Sequence, residues 1–260
     1  MQAVTFEQAK ANHRNDGGAI GRVIVRDYVG KGHQLTPGPQ VYLGQQLDPG
    51  SELFAHFHDV DQFQVVVLGD GRFGSMAVAP ITVQYADAYA PYGPIVAGEA
   101  GIGFFVFRRS AATGGWRMPE YANLIPGKIG RRFFVDIADL ERIPPAGVAQ
   151  HEVVWGPAED GLEVDLIRLG PGAAVAPRVT ACGAEHLLVC SGSLVREGAD
   201  LPANAVLLRD DLDDAEPVTA GGDGAVVLVM KFPLATDRPG SDPGVRRAAG
   251  ATYERAVNTA

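Results

Sequence analysis

An internal repeat constrains the fold of this chain most. Gly69 closes the run "QVVVLG" and Gly192 closes "LLVCSG"; Gly101 opens "GIGFFVF" and Gly224 opens "GAVVLVM". Both pairs are offset by about 123 residues, so the spacing from first to second glycine is the same in each half. A fixed offset between matched segment ends means two copies of one structural unit. The segments around these glycines are short, rich in β-branched residues and broken by Gly, Pro or Asp, as in "GRVIVRD", "QVYLGQQLD", "ITVQYADAY", "LEVDLIRL" and "NAVLLRD". That pattern reads as antiparallel strands joined by turns.

The expected organisation is a first β module over 1–110, an irregular interdomain segment over 111–150, a second β module over 151–235 and a polar tail over 236–260. Thr5 and Gln8 have capping-box spacing, which predicts a short helix from Thr5 to about His13. A second weak helix is expected near Tyr253.

Chemistry concentrates in "DPGSELFAHFHDVDQFQVVVLGDG", Asp48 to Gly71. Alternate side chains on a strand share one face. Phe54, His56 and His58 therefore point the same way, into a barrel. Gln62 and Gln64 share the inner face of the next strand, with Phe63 and Val65 on its outer face. Two imidazoles and an amide oxygen then converge. Imidazole serves Fe, Mn, Zn, Ni or Cu, and the amide oxygen leans towards Mn or Fe(II).

The spacing from Gly50 through His56, His58 and Gln62 to Gly69 resembles the first motif of the cupins, with Gln where that motif has Glu. Gly172, Arg178, Thr180, Glu185 and Gly192 repeat the spacing without the histidines. The chain is thus similar to a bicupin. The resemblance implies an all-β fold of two tandem antiparallel jelly-roll (cupin, double-stranded β-helix) barrels with short peripheral helices. It also implies a divalent metal ion, if any is bound, held in the first barrel by His56, His58 and Gln62. Mn, Fe, Zn and Ni are the candidates. The second cupin motif departs: "PYGPIV" places Val96 where a fourth ligand is expected, so an ion would keep open coordination positions. His33, on a loop before the barrel, is a possible replacement. Some manganese cupins that handle cyanohydrins resemble the His-x-His-x3-Gln pattern, and a neutral third ligand favours Lewis-acid chemistry.

Tyr89 and Tyr92 are candidate catalytic proton donors. Tyr42, Phe54, Phe63, Gln64 and Tyr85 are candidate substrate contacts. Ordinary packing is the competing reading for the tyrosines. Arg108 and Arg109 follow an apolar strand and read as solvated strand-end charges rather than anion clamps. Arg178, Thr180 and Glu185 read as a salt-bridged interior of a structural second barrel, with a small anion site as the alternative. His186 should face away from Glu185.

Composition narrows the partners. A net charge of −9 without a Lys/Arg stripe argues against nucleic acid and anionic membrane surfaces. The N-terminus lacks the apolar core of a signal peptide, and no apolar run reaches membrane-spanning length. The two cysteines, Cys182 and Cys190, form no CxxC pair and read as reduced thiols of a cytoplasmic protein. The expected function is an enzyme acting on a small oxygenated organic molecule, by isomerase, lyase or hydrolase chemistry or by dioxygen activation. A metal-free binding or structural protein is the alternative, and a homodimer fits either.

Overall fold

The computed structural model describes the whole chain except residues 17–19, 32–37, 128–129, 177, 179–180, 210–215 and 243–260. His33, Thr180 and the segment around Tyr253 lie outside the described residues. Almost all regular structure is antiparallel strand. Among the described residues the one helical element is a 3-10 turn, Ala122–Leu124, and no helix is long and apolar enough to cross a membrane.

The chain divides into two compact units. The first contains Lys10–Asp136 and the start of the tail from Thr236. Its main sheet runs in the order Arg132–Asp136, Thr82–Ala86, Gln62–Phe73, Ile95–Arg108, Gln40–Gln46, Arg22–Val29, Lys10–Asp16. A small sheet pairs Trp116–Arg117 with His56–Phe57. The second unit contains Met1–Ala9 and Ile137–Ala235. Its order is Gln2–Val4, Val206–Arg209, Ala184–Arg196, Val218–Phe232, Glu163–Leu169, Ala149–Trp155. Each unit is a jelly-roll barrel.

The repeated glycines mark where two long strands cross closely in each barrel. A Cβ on Gly69 would lie 2.0 Å from the Gly101 carbonyl oxygen, and one on Gly192 would lie 2.1 Å from that of Gly224. Both first glycines have positive φ, +64° and +68°. The register slips beside them, between Ala97 and Ile102 in one barrel and between Val189 and Ser191 in the other. Only a residue without a side chain permits this bend.

Three expectations about organisation differ from the structure. Thr5 and Gln8 do make the reciprocal capping bonds, Thr5 N–H to Gln8 Oε1 at 2.9 Å and Gln8 N–H to Thr5 Oγ1 at 3.3 Å. They close a single turn, because Lys10 already begins a strand paired with Asp27. Gln2–Val4 pairs with Val206–Leu208, so the N-terminus completes the second barrel. Residues 111–136 belong to the first barrel, and so does the start of the tail: Arg238 donates to both Asp61 carboxylate oxygens at 2.7 Å.

Each barrel is layered. In the first, an apolar tier of Val66, Phe73, Ile95, Ile102, Phe104 and Val106 fills one end. In the second, Leu169, Leu187, Val189, Val227 and Val229 do the same. Polar side chains occupy the tier above each.

Candidate functional site

His56 lies on the strand His56–Phe57, and its backbone pairs with Tyr92: His56 N–H to Tyr92 O at 3.0 Å and the reverse at 2.9 Å. Its Nδ1 meets the Phe54 carbonyl at 2.7 Å. A carbonyl only accepts, so Nδ1 carries the hydrogen and Nε2 holds the lone pair. That Nε2 accepts from the Tyr92 hydroxyl at 2.8 Å. His58 is fixed likewise, with Nδ1 at 2.5 Å from the Gly114 carbonyl. The two rings stand 5.1 Å apart at 88°. Burial pushes the His56 pKa down to about 4, against the Phe54 bond and with help from the Arg108 charge. Burial, Arg108 and His56 push His58 well below the usual histidine range. Both imidazoles are neutral at pH 7.

The strand Trp116–Arg117 covers the histidine strand. Trp116 stacks on Phe57 at 5.5 Å, and the Arg117 guanidinium lies 5.1 Å above the Phe54 ring. Gly114 and Gly115 make the approach possible: a Cβ on Gly115 would sit 3.2 Å from His58 Cε1 and 3.7 Å from His56 Cδ2.

Arg108 overturns its expected solvated position. It is 2% exposed. Phe104 and Val106 face the barrel interior, and strand alternation carries Arg108 inward with them. Its Nε and Nη2 donate to Gln62 Oε1 at 3.0 and 2.9 Å, its Nη1 to Gln40 Oε1 at 2.6 Å, and its Nη2 reaches the Tyr42 hydroxyl at 3.5 Å. The guanidinium lies 5.6 Å over the Tyr42 ring.

This arrangement decides how the polar tier fits a metal ion. His56 and His58 fit: each is held by its outer nitrogen in the way that orients a ligating imidazole. Gln62 does not fit as it stands. Both lone pairs of its Oε1 face Arg108, and its free end is a donor. Val96 pairs with Arg72 and Glu52 and supplies no ligand. Among the described residues no group of three His, Cys, Asp or Glu side chains gathers to hold an ion.

Several amide atoms of this tier have no hydrogen-bond partner although they are buried: Gln62 Nε2, Gln64 Oε1 and both Gln84 side-chain atoms. Gln64 and Gln84 face each other across neighbouring strands. Burial raises the Tyr92 pKa against the pull of Arg108 and so keeps its hydroxyl protonated.

The structure brings together His56, His58, Gln62, Gln64, Tyr92 and Tyr42, with Phe54 beside His56 at 5.7 Å. It does not bring Phe63, Tyr85 or Tyr89 to them. Phe63 packs on Tyr85 at 4.8 Å, and Tyr85 stacks on Phe133 and donates to Asp87. These two residues face away from the Gln62–Gln64 side of their strands. Tyr89 has φ +63° and packs with Phe57 in a separate apolar cluster. The sequence reasoning missed Gln40, Gln84 and Gly115 as well as the role of Arg108.

In the second barrel the polar tier is charged. Lys231 donates to Glu163 at 2.6 Å and to Asp165 at 2.8 Å, and all three side chains are 1% exposed. Arg178 also reaches Glu163, and Arg209 pairs with Glu185 at 2.9 Å. Burial pushes the Glu163 pKa up, but bonds from Arg178 and Lys231 outweigh it and hold the carboxyl at about 2. A cavity of about 240 Å³ lies against this tier. His186 is buried on the opposite face from Glu185, 5.0 Å from Phe232.

Solved structures share this architecture. A bacterial pirin from Escherichia coli in complex with nickel(II) superposes with a TM-score of 0.55 at 10% identity, over 89% of this chain and 98% of that one. Lactobacillus farciminis oxalate decarboxylase, as a formate complex, gives 0.55 at 13% identity over 89% and 86%. Salicylate 1,2-dioxygenase from Pseudaminobacter salicylatoxidans gives 0.50 at 14% identity over 74% and 70%. The fold is that of the cupins. No protein-family model matches the sequence, and no curated protein does.

Proposed function

We propose that this chain is a bicupin enzyme acting on a small oxygenated organic molecule in its first barrel, with a divalent metal ion held by His56 and His58. The observation that carries the reading is the matched orientation of the two imidazoles. Each has Nδ1–H fixed on a backbone carbonyl and a neutral Nε2 lone pair directed away from it. Such an outer bond sets the tautomer that ligation requires. Metal-binding cupin-fold neighbours support the same general kind of enzyme. An ion held there would polarise a bound carbonyl or hydroxyl, or activate dioxygen.

The chain's own groups supply the rest. Tyr92 holds a proton at His56 Nε2 and must turn its hydroxyl towards the ligand before that nitrogen can ligate. Gln62 supports Arg108. The Gly114–Arg117 segment and Phe54 limit water around the imidazoles. The second barrel, which lacks the histidines, is structural in this reading. The exposed end strand Ala149–Trp155 supports a homodimer, and the two free thiols support a reducing compartment.

One observation favours a metal-free binding protein instead: Gln62 Oε1 is already taken by Arg108. Metal content separates the two. Protein purified without chelator is compared with a His56→Ala, His58→Ala variant. Stoichiometric Mn, Fe, Zn or Ni that vanishes in the variant supports the enzyme. No metal in either, even after reconstitution, sinks the metal and leaves the binding reading.

A further inference from the structure

The repeat supplies an internal control for Arg108. With the same offset of 123 that relates the glycines, Arg108 corresponds to Lys231, Gln40 to Glu163, Tyr42 to Asp165 and Gln62 to Glu185. The strand registers agree: Arg108 pairs with Gln40, and Lys231 with Glu163 and Glu185. Both barrels therefore place one buried cation at the same point of the same strand. In the second barrel two carboxylates neutralise it at 2.6 and 2.8 Å. In the first barrel every one of those acids is replaced by a neutral side chain. Among the described residues no carboxylate forms an ion pair with Arg108, and its hydrogen bonds go to two amides and a phenol.

A guanidinium cannot shed its proton, so this charge stays in the barrel. A buried charge without a counter-charge is costly, and the cost is removed when a bound anion supplies one. Amide atoms on the next two strands of the sheet specify more than charge. Gln62 Nε2 and Gln84 Nε2 are unpartnered donors; Gln64 Oε1 and Gln84 Oε1 are unpartnered acceptors. All three side chains are at most 3% exposed. A ligand that satisfies them needs acceptor oxygens and at least one hydroxyl donor.

We infer that the first barrel binds a small hydroxycarboxylate, its carboxylate neutralising Arg108 and its hydroxyl bonding the Gln64–Gln84 pair. This deepens the function proposed above by naming the substrate class of that site, and it holds whether or not a metal is present.

The test uses the full chain after chelator treatment, so that loss of metal and loss of anion recognition are read separately. Calorimetry measures glycolate, lactate and malate, with lactamide as the uncharged control. At least one of the acids should bind, lactamide should not, and Arg108→Gln should weaken binding roughly tenfold or more. A second variant guards against misfolding. Gln40→Glu with Tyr42→Asp keeps Arg108 and imports the acids of the second barrel. It should raise the melting temperature of the ligand-free protein and abolish hydroxycarboxylate binding. The inference is overturned if none of the three acids binds, if lactamide binds as well as lactate, or if Arg108→Gln binds within twofold of the wild type.

Discussion

Replacing Lys231 with Met isolates the electrostatics of the second barrel. The ammonium is 1% exposed and holds Glu163 and Asp165, each equally buried. Removing it leaves two carboxylates whose remaining cation, Arg178, has a side chain 40% exposed. Breaking a buried ion pair from one side costs about 3–5 kcal/mol. The titration of Glu163 sets an upper bound on that acid's share: a carboxyl held at about 2 instead of 4.5 carries about 3 kcal/mol, divided between the Arg178 bond and the Lys231 bond. The slope with pH also changes. In the wild type this contribution is complete above 4.5 and is lost as pH falls from 4.5 to about 2. In Lys231→Met the acids keep only Arg178, burial is opposed less, and the Glu163 carboxyl moves up from about 2. Stability of the variant then falls less steeply than that of the wild type as pH drops from 4.5 to about 2. Trp116 lies in the first unit and Trp155 in the second, so a Trp116→Phe background makes guanidinium unfolding, followed by fluorescence, report the second barrel. A loss below about 1 kcal/mol, with the wild-type slope against pH unchanged, would refute the reasoning.

Two further perturbations probe the first barrel. Gly115→Ala places a methyl group 3.2 Å from His58 Cε1; it should weaken metal retention roughly tenfold while circular dichroism stays unchanged, because it displaces the imidazole and not the sheet. Unchanged retention would show that this segment does not fix His58. Arg238→Gln removes a two-bond clamp on Asp61, whose pKa burial already raises against the pull of Arg238. It should lower stability by about 3 kcal/mol in thermal unfolding, and a shift within error would mean the tail is dispensable to the barrel.

The features legible in the sequence are those fixed by backbone geometry. Gly69 and Gly192 must lack side chains because a carbonyl lies where Cβ would be, so their spacing survives in plain text. His56 and His58 share a face because strands alternate. Arg108 was misread because it stands beside Arg109 at the end of an apolar run, and composition treats such a pair as solvent-facing. The alternation Phe104, Val106, Arg108 contained the correct answer. The same parity places Phe63 and Tyr85 on the outer side, away from Gln62 and Gln64. Tyr89 escaped it for a different reason: the strand ends at Ala86 and Tyr89 lies in the following turn with positive φ, so spacing from Tyr85 no longer fixes a face. The pairing of Gln2–Val4 with Val206–Leu208, the docking of Arg238 on Asp61 and the covering strand at Trp116 join distant segments, and no local periodicity encodes them.

The two barrels solve one electrostatic problem in opposite ways. Each has a cation in the same place, and neutral or acidic neighbours decide what it needs. Glu163 and Asp165 complete Lys231 from within the chain, so the equivalent substitution should act oppositely in the two halves. Lys231→Met leaves buried anions with only Arg178, whereas Arg108→Met deletes a cation that has no carboxylate partner among the described residues and should leave the ligand-free protein as stable or more so. A structural role for Arg108 predicts the reverse, because its bonds to Gln62 and Gln40 would then outweigh the cost of burying its charge. The melting temperatures of these two variants without ligand therefore test whether the first barrel is held ready for an anion or simply held together.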